Sequence, residues 1–241
     1  MKSPIDDKTI SVVVPAYNEE KNLDEAVGNL LSVLQKRFRD YEILIFDDCS
    51  LDRTGEISDK LASKNKKIRV IHNAINMGIG YNYMKAAQIA SMEYFSLFPG
   101  DGENIASSIP DLLKETSKAD IIIPYPLNAE VRPRHRRLIS NSFVLFLNKI
   151  FNLKLKYYNG TVVYKTKVLK SVKITTYGFA YSSEVLVKLL KRGYNYVEVG
   201  VKINPSKKNS IFKLKNIFGV FRTIIILFYE INIKERKKYR K

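Results

Sequence analysis

The first half of the chain alternates short apolar runs with segments of helical periodicity, and this alternation limits the fold more than any other sequence feature. The apolar, mostly β-branched runs predict five strands, at residues 10–15, 41–46, 68–71, 94–98 and 119–124. Between them, apolar residues recur at spacings of three and four, as in Leu23, Val27, Leu30 and Leu34, which predicts helices. Strands separated by helices favour right-handed crossovers and therefore an α/β fold with a mainly parallel sheet flanked by helices.

The second half is less regular. Apolar spacing predicts a helix through residues 138–150, and strands at 161–164 and 196–199 flank a helix at 183–191. After Pro205 the composition shifts to lysine, asparagine and large apolar side chains. A length of 241 residues without a Pro/Ser-rich linker fits one domain. We therefore predict one α/β domain over residues 8–205 and a basic, apolar C-terminal tail over 206–241.

The charge and the cysteine content restrict partners and compartment. The chain has 41 Lys and Arg against 24 Asp and Glu, a formal charge of +17, which favours nucleic acid, anionic lipid or phosphorylated substrates. Cys49 is the single cysteine, so an intrachain disulfide and a four-cysteine zinc site are excluded. The N-terminus lacks an apolar signal core, and no apolar run reaches the roughly 18 residues of a spanning helix. We expect a cytoplasmic protein that can be peripheral at the cytoplasmic face of a membrane.

Carboxylates follow two of the predicted strands directly. Asp47 and Asp48 come after the second strand, and Asp101 and Glu103 come after the fourth. Ligands of open α/β sheets usually bind at the carboxyl ends of the strands, and Mg²⁺ prefers oxygen ligands. Two carboxylates two residues apart therefore suggest a divalent-metal site. The alternative is an acidic, glycine-rich turn.

Four motifs occur in order behind these strands. They are VVVPAYNEE at 12–20, FDDCS at 46–50, NMGIG at 76–80 and GDGE at 100–103. Together they resemble the family-2 glycosyltransferases with the A-fold. RRLIS at 136–140 and GFAYSSE at 178–184 extend the resemblance to dolichyl-phosphate mannose synthases and related polyprenyl-phosphate sugar transferases. The resemblance covers residues 10–201 and implies a single nucleotide-diphospho-sugar transferase domain.

The resemblance implies a donor-nucleotide site at the strand ends. It assigns this site to Pro15, Tyr17, Glu19, Asp47, Asp48, Gly78, Gly100 and Asp101. Carboxylates at these positions can accept hydrogen bonds from ribose hydroxyls and base N–H groups. The alternatives are helix capping for the Asp47–Asp48 pair and core packing for Tyr17.

The resemblance also implies a metal cofactor, Mg²⁺ or Mn²⁺, held by Asp101 and Glu103 against the donor diphosphate. Such an ion would neutralise the charge that develops on the leaving group, which makes Asp101 a catalytic residue. The chain departs from the family pattern here. Pro99 stands where the usual form has an aspartate, and Glu103 stands where a glutamine is frequent.

An acceptor-phosphate site is implied at the arginine cluster. Arg134, Arg136, Arg137 and Ser140 supply guanidinium groups and a hydroxyl that suit phosphate oxygens, and we count Arg136 and Arg137 as catalytic. A phosphate acceptor is already anionic and needs no general base. The alternative is a solvated, basic helix start, although arginine gains nothing from the dipole at a helix N-terminus.

Two further segments have competing interpretations. Glu184, near a predicted helix start, is a candidate for binding sugar hydroxyls, or simply compensates the helix dipole. Residues 217–229 are almost wholly apolar and precede a basic chain end. This pattern suits a helix at an anionic membrane surface. It also suits a helix that docks on the core or forms a dimer.

These observations favour a metal-dependent, inverting glycosyltransferase. It would move a hexose of the mannose or glucose class from a GDP- or UDP-sugar to a polyprenyl or dolichyl phosphate. One alternative is a family-2 enzyme with a saccharide hydroxyl acceptor in cell-surface polysaccharide assembly, which would need a base that the sequence does not nominate. A more distant alternative is a basic nucleic-acid-binding α/β protein, although no nucleic-acid motif is present. A dinucleotide oxidoreductase is disfavoured because Gly78 and Gly80 lack the third glycine of that fingerprint.

Overall fold

The computed structural model describes residues 6–99, 106–204, 214–234 and 239. Its strands form one seven-stranded sheet in the order β3-β2-β1-β4-β6-β5-β7. The strands are β1 Asp6–Ala16, β2 Phe38–Asp47, β3 Ile68–His72, β4 Tyr94–Leu97, β5 Ile121–Pro126, β6 Val163–Lys165 and β7 Tyr196–Val201. The predicted α/β class and the predicted mainly parallel sheet are confirmed.

Helices flank the sheet between these strands. They are α1 Leu23–Arg37, α2 Thr54–Lys64, α3 Ile79–Ile89, α4 Ile109–Lys114, α5 Arg134–Phe151, α6 Thr166–Leu169, α7 Tyr181–Lys191 and α8 Leu214–Tyr229. A π-helical turn, Glu230–Lys234, follows α8 directly. In α1 the apolar residues at spacings of three and four are buried against the sheet, as their periodicity predicts.

Strand β1 lies at the centre of the parallel part and is covered on both faces. It pairs with β2 on one side and with β4 on the other. Val13 belongs to the apolar cluster on one face, while Val12 and Val14 belong to the cluster on the opposite face. Burial on both faces explains why β1 is a continuous β-branched run and not an alternating one.

Among the described strands, β6 is the one that runs antiparallel to its neighbours. It pairs antiparallel with β4 on one side and with β5 on the other, while β5 and β7 pair in parallel. Two successive reversals make β4 and β5 run in the same direction. The carboxyl ends of β1, β2, β3, β4 and β5 therefore lie at one edge of the sheet, and the loops that carry the predicted site residues leave from that edge.

The predicted tail contains α8, which packs on the body of the protein along one side. Ile224, Leu227, Ile231 and Tyr239 join the same apolar cluster as α7. The opposite side exposes Phe218, Phe221 and Ile225. None of the helices in the described residues combines the length and apolar character needed to cross a bilayer. The predicted boundary at residue 205 lies outside the described residues, so the division at 205/206 stays a prediction.

Candidate active site

The loops after β1, β2 and β3 meet because strand pairing continues to the ends of these strands. Ala16 is paired with Asp47, and Asp47 with His72. One residue further, Asp48 N–H donates to Ala16 O at 2.9 Å and Asn73 N–H donates to Asp47 O at 2.9 Å. The sheet therefore brings three of the predicted donor motifs side by side.

The loop after β1 is tied to the loop after β2. Asn18 has a left-handed backbone with φ of 54°, and its side-chain oxygen accepts from Leu51 N–H at 2.8 Å. Glu19 N–H donates to Thr54 Oγ1 at 2.8 Å. Tyr17 is 46% exposed at the edge of this loop, so core packing does not explain it. Pro15 is half-buried and lies within β1.

Asp48 holds the turn that precedes α3. Its carboxylate accepts hydrogen bonds from Met77 N–H and Gly78 N–H, both at 2.8 Å, and from Asn73 Nδ2 at 2.7 Å. Gly78 has φ of 87°, a conformation that favours glycine. The Asp48 carboxylate is buried and lies at the positive, N-terminal end of α3. It therefore does lie at a helix start, as the capping alternative predicts. The helix is α3, however, and not α2, which follows Asp48 in sequence.

Asp47 organises the neighbouring loop through both of its oxygens. Oδ1 accepts from Ser50 N–H at 3.1 Å, and Oδ2 lies 2.9 Å from His72 Nδ1. On its other side, His72 Nε2 lies 3.1 Å from Asp59 Oδ1. Hydrogen bonds to Asp47 and then Asp59 raise the pKa of His72 above its usual value of 6.5. In the sequence, His72 has no functional signal beyond its position at a strand end, so it is not among the predicted site residues.

This arrangement predicts a pH-dependent contribution of His72 to stability. A histidine whose folded-state pKa is raised stabilises the protein fully below its unfolded pKa of about 6.5, and the contribution is lost as pH rises through the folded pKa. The ring is 45% exposed, so solvent screening limits the effect to about 1 kcal/mol or less. His72→Gln should lower the melting temperature at pH 5.5 more than at pH 8.5.

Thermal unfolding of both proteins across this range measures the difference. His135→Gln, at an exposed residue near the start of α5, is the matched control. An equal loss from His72→Gln at both pH values would contradict the protonation argument.

The predicted acceptor residues lie at the start of α5. Arg134 is exposed, Arg136, Arg137 and Ser140 are half-buried, and no acidic residue lies in the first turn. Within the described residues, Arg137 Nε is a buried donor without a hydrogen-bond partner. The next turns expose two apolar side chains, Leu138 and Ile139. A positive cluster therefore adjoins an apolar surface.

A small, open pocket lies beside the start of α5, at the ends of β5 and β7. Its lining includes Tyr125, Arg132, Tyr157 and Lys202. Arg132 donates to the Tyr157 hydroxyl at 2.8 Å, with its guanidinium 5.8 Å from the ring centroid. Arg132 belongs to the arginine cluster in sequence, but Tyr157 and Lys202 reach this pocket only through folding, so sequence patterns could not select them.

Glu184 is not positioned to bind a sugar. It lies in the first turn of α7 with 1% exposure, and its carboxylate accepts hydrogen bonds from Thr175, Thr176 and Lys188. Both oxygens are thus occupied inside the protein. This geometry does not support the predicted contact with sugar hydroxyls. The carboxylate instead binds the loop at residues 175–176, which precedes α7.

Three predicted residues, Gly100, Asp101 and Glu103, lie outside the described residues. Phe98 N–H donates to Val13 O at 2.9 Å, so the chain still follows β1 where β4 ends. The described chain therefore reaches the donor-loop edge of the sheet at residues 98–99. The part of the chain that the structure describes contains no group of three or more His, Cys, Asp or Glu residues suited to a metal ion.

Two proteins named as mannosyltransferases are similar to this chain in sequence. A dolichol-phosphate mannosyltransferase from Pyrococcus furiosus is 30% identical over 188 residues, which are 74% of this chain and 52% of that protein. The chain thus spans about half the length of that relative. An undecaprenyl-phosphate mannosyltransferase from Micrococcus luteus is 23% identical over 80% of this chain and 82% of its own length.

Solved structures show the same fold at low identity. Glucosyl-3-phosphoglycerate synthase from Mycobacterium tuberculosis, in complex with Mn²⁺, UDP and phosphoglyceric acid, superposes with a TM-score of 0.71 at 17% identity. The match covers 92% of this chain and 78% of that one. The same enzyme with Mg²⁺ and UDP gives a TM-score of 0.69. The neighbours are A-fold glycosyltransferases, so the predicted fold is confirmed.

The sequence profile of glycosyl transferase family 2 matches residues 11–175. This match begins inside β1, extends past β6 and includes the loops after β1, β2 and β3, and it confirms the resemblance found from the motifs. The chain belongs to glycosyl transferase family 2.

Proposed function

We propose that the protein transfers a hexose from a GDP- or UDP-sugar to a polyprenyl phosphate, with inversion at the anomeric carbon. The observation that carries the acceptor assignment is the start of α5. Its first turn contains Arg134, Arg136 and Arg137 without an acidic residue, and exposed Leu138 and Ile139 follow at once. A phosphate attached to an apolar chain matches both halves of this surface. The names of the relatives from Pyrococcus and Micrococcus support the same acceptor class.

The donor site of the proposed enzyme lies at the edge where β1, β2 and β3 end. Tyr17 is exposed there, and Asp47 and Asp48 fix the loops that would surround the nucleotide. Glu19 and Gly78 belong to the same loops. UDP in the mycobacterial structures supports a nucleoside-diphosphate donor.

The reaction needs no general base in this proposal. An acceptor phosphate oxygen attacks the anomeric carbon while the bond to the donor diphosphate breaks, and that electron pair leaves with the nucleoside diphosphate. The arginines at the start of α5 would hold the attacking phosphate in line and offset its charge. Asp101 and Glu103 are hard oxygen donors that suit Mg²⁺ or Mn²⁺, and the ion would neutralise the leaving diphosphate when bound.

The tail would hold the protein at the cytoplasmic membrane surface where such an acceptor lies. Ile224 and Leu227 pack into the protein core, while Phe218, Phe221 and Ile225 remain exposed on α8. Phe221 also lies against Phe146 of α5, with ring centroids 6.3 Å apart. The exposed side of α8 is thus continuous with the helix that carries the arginines, which favours membrane docking.

Replacing exposed side chains of α8 should weaken membrane binding. Phe218→Ser with Ile225→Ser removes two apolar groups, each worth about 1.5–3 kcal/mol when fully buried, so binding to anionic vesicles should fall at least about tenfold. Flotation with phosphatidylglycerol vesicles measures it, with Leu51→Ser, an 86% exposed leucine elsewhere, as control. Unchanged flotation, with a change from dimer to monomer in size-exclusion light scattering, would instead support a dimer-forming helix.

The decisive assay is product formation from radiolabelled GDP- and UDP-sugars. With dolichyl or undecaprenyl phosphate and Mn²⁺, we expect a butanol-extractable radioactive lipid from one donor. Absence of a lipid product with every donor, combined with transfer to a saccharide, would overturn the lipid-phosphate acceptor in favour of a hydroxyl acceptor. Binding of RNA or DNA with steep salt dependence, and of no nucleotide sugar, would overturn the whole proposal.

A further inference from the structure

A buried cation connects α7 with the segment after α8. The side chain of Lys188 is 2% exposed, and its Nζ lies 2.7 Å from Glu184 Oε1 and 2.9 Å from Glu230 Oε2. It also donates to Lys173 O at 3.0 Å. Burial alone would lower the pKa of Lys188, but the two carboxylates raise it above its usual value. A charged lysine of α7 is thus held by a carboxylate of its own helix, a carboxylate after α8 and a backbone carbonyl.

Glu184 uses its remaining hydrogen-bonding capacity on the loop before α7. Its oxygens accept from Thr175 N–H at 3.0 Å, Thr175 Oγ1 at 2.7 Å and Thr176 N–H at 2.8 Å. Burial alone would raise the pKa of Glu184, but Lys188 and these hydrogen bonds lower it. Breaking such a buried pair leaves an uncompensated charge, so the loop depends on Lys188 as well as on Glu184.

The same loop packs directly on the turn before α3 and on the first residues of α3. Gly80 N–H donates to Tyr177 O at 2.9 Å. A Cβ atom on Gly80 would lie 2.3 Å from Thr176 O, and one on Gly78 would lie 2.8 Å from Tyr177 O. The backbones therefore touch at both glycines. This turn is the one whose Met77 and Gly78 N–H groups bind Asp48.

We infer that Glu184 and Lys188 are positioning residues for the donor turn at residues 76–80, and that Glu230 makes this arrangement dependent on the C-terminal segment. The contacts run from Glu230 to Lys188, to Glu184, to the loop at residues 175–177 and then to Gly80. Where the inference concerns nucleotide affinity, it rests on the proposed function. Its structural part does not.

Hydrogen exchange at individual amides tests the structural part on the full chain. In Glu184→Gln we expect exchange at Gly78 and Gly80 to accelerate at least about tenfold, in addition to exchange at Thr175 and Thr176. Glu230→Gln should accelerate the same amides less. Ser11→Ala is the matched control, because it removes a buried 2.6 Å hydrogen bond to Glu42 elsewhere in the sheet.

Calorimetric titration with GDP and UDP tests the functional part. Glu184→Gln should weaken the nucleotide that the wild type binds by about tenfold, while Ser11→Ala should not. Acceleration confined to residues 175–176, with residues 77–80 exchanging as in the wild type in both glutamate variants, would overturn the inference. If the wild type binds neither nucleotide, the proposed function fails while the exchange data still decide the structural part. If Glu184→Gln does not fold, Glu230→Gln decides alone.

Discussion

Asp101→Asn should abolish measurable sugar transfer and leave the fold intact. Asparagine keeps the shape of the side chain but removes the charge that binds a hard cation. Pro99 occupies the position of the other usual carboxylate, so Asp101 carries most of the proposed metal binding. Metal ions contribute several kcal/mol to charge stabilisation in such reactions, which corresponds to a rate loss of at least about 100-fold.

The comparison for this variant is Asp111→Asn, which removes a carboxylate from an exposed ion pair with Lys114 on α4. Initial rates with radiolabelled donor and Mn²⁺ should be unchanged in Asp111→Asn, and thermal unfolding should be nearly the same for both variants. Substantial activity in Asp101→Asn would refute the role assigned to Asp101. A large loss of melting temperature would assign its effect to folding.

Gly80→Ala should lower the free energy of unfolding, and by much more than a glycine-to-alanine change at the open position Gly28. The added Cβ would lie 2.3 Å from Thr176 O, 2.7 Å from Tyr177 C and 2.9 Å from Gly178 O, all of them backbone atoms. Backbone cannot rotate away as the end of a side chain can, so the loop before α7 must shift. Overpacking of this kind costs about 1–3 kcal/mol and occasionally more.

Gly28→Ala provides the opposite expectation within the same protein. Gly28 lies inside α1, and a Cβ there would meet no atom within 4 Å. Alanine is the better helix former by about 1 kcal/mol, so this variant should be as stable as the wild type or more stable. Denaturant unfolding of both variants measures the difference. Equal stability of the two would show that the contact at Gly80 relaxes without cost.

Sequence patterns were sufficient for the parallel part of the fold because each strand there is a local apolar run with a helix after it. The strand β6 could not be placed in the same way. It is three residues long, Val163–Lys165, and its place between β4 and β5 is set by pairing partners far away in sequence. Its antiparallel direction follows from tertiary contacts that periodicity does not encode.

The candidate site was predictable in location but not in orientation. Strand ends identified Asp47 and Asp48, yet the partners of their carboxylates, His72 and the N–H groups of Met77 and Gly78, depend on which loops meet. Glu184 shows the limit most clearly. A helix-start glutamate looks the same in sequence whether it faces solvent or, as here, a buried lysine.

The position of β6 also has a consequence for the order of events on the ribosome. Strands β1 to β4 are complete once residue 97 has been synthesised. The edge of β4 that faces away from β1 has no partner, however, until residues 163–165 of β6 emerge. During that interval β5 has been synthesised and β6 has not. Strand β5 can therefore pair with the edge of β4 that β6 occupies in the folded protein. An open strand edge of this kind invites misassembly and aggregation. We therefore expect nascent chains that stall between residues 126 and 163 to be clients of chaperones.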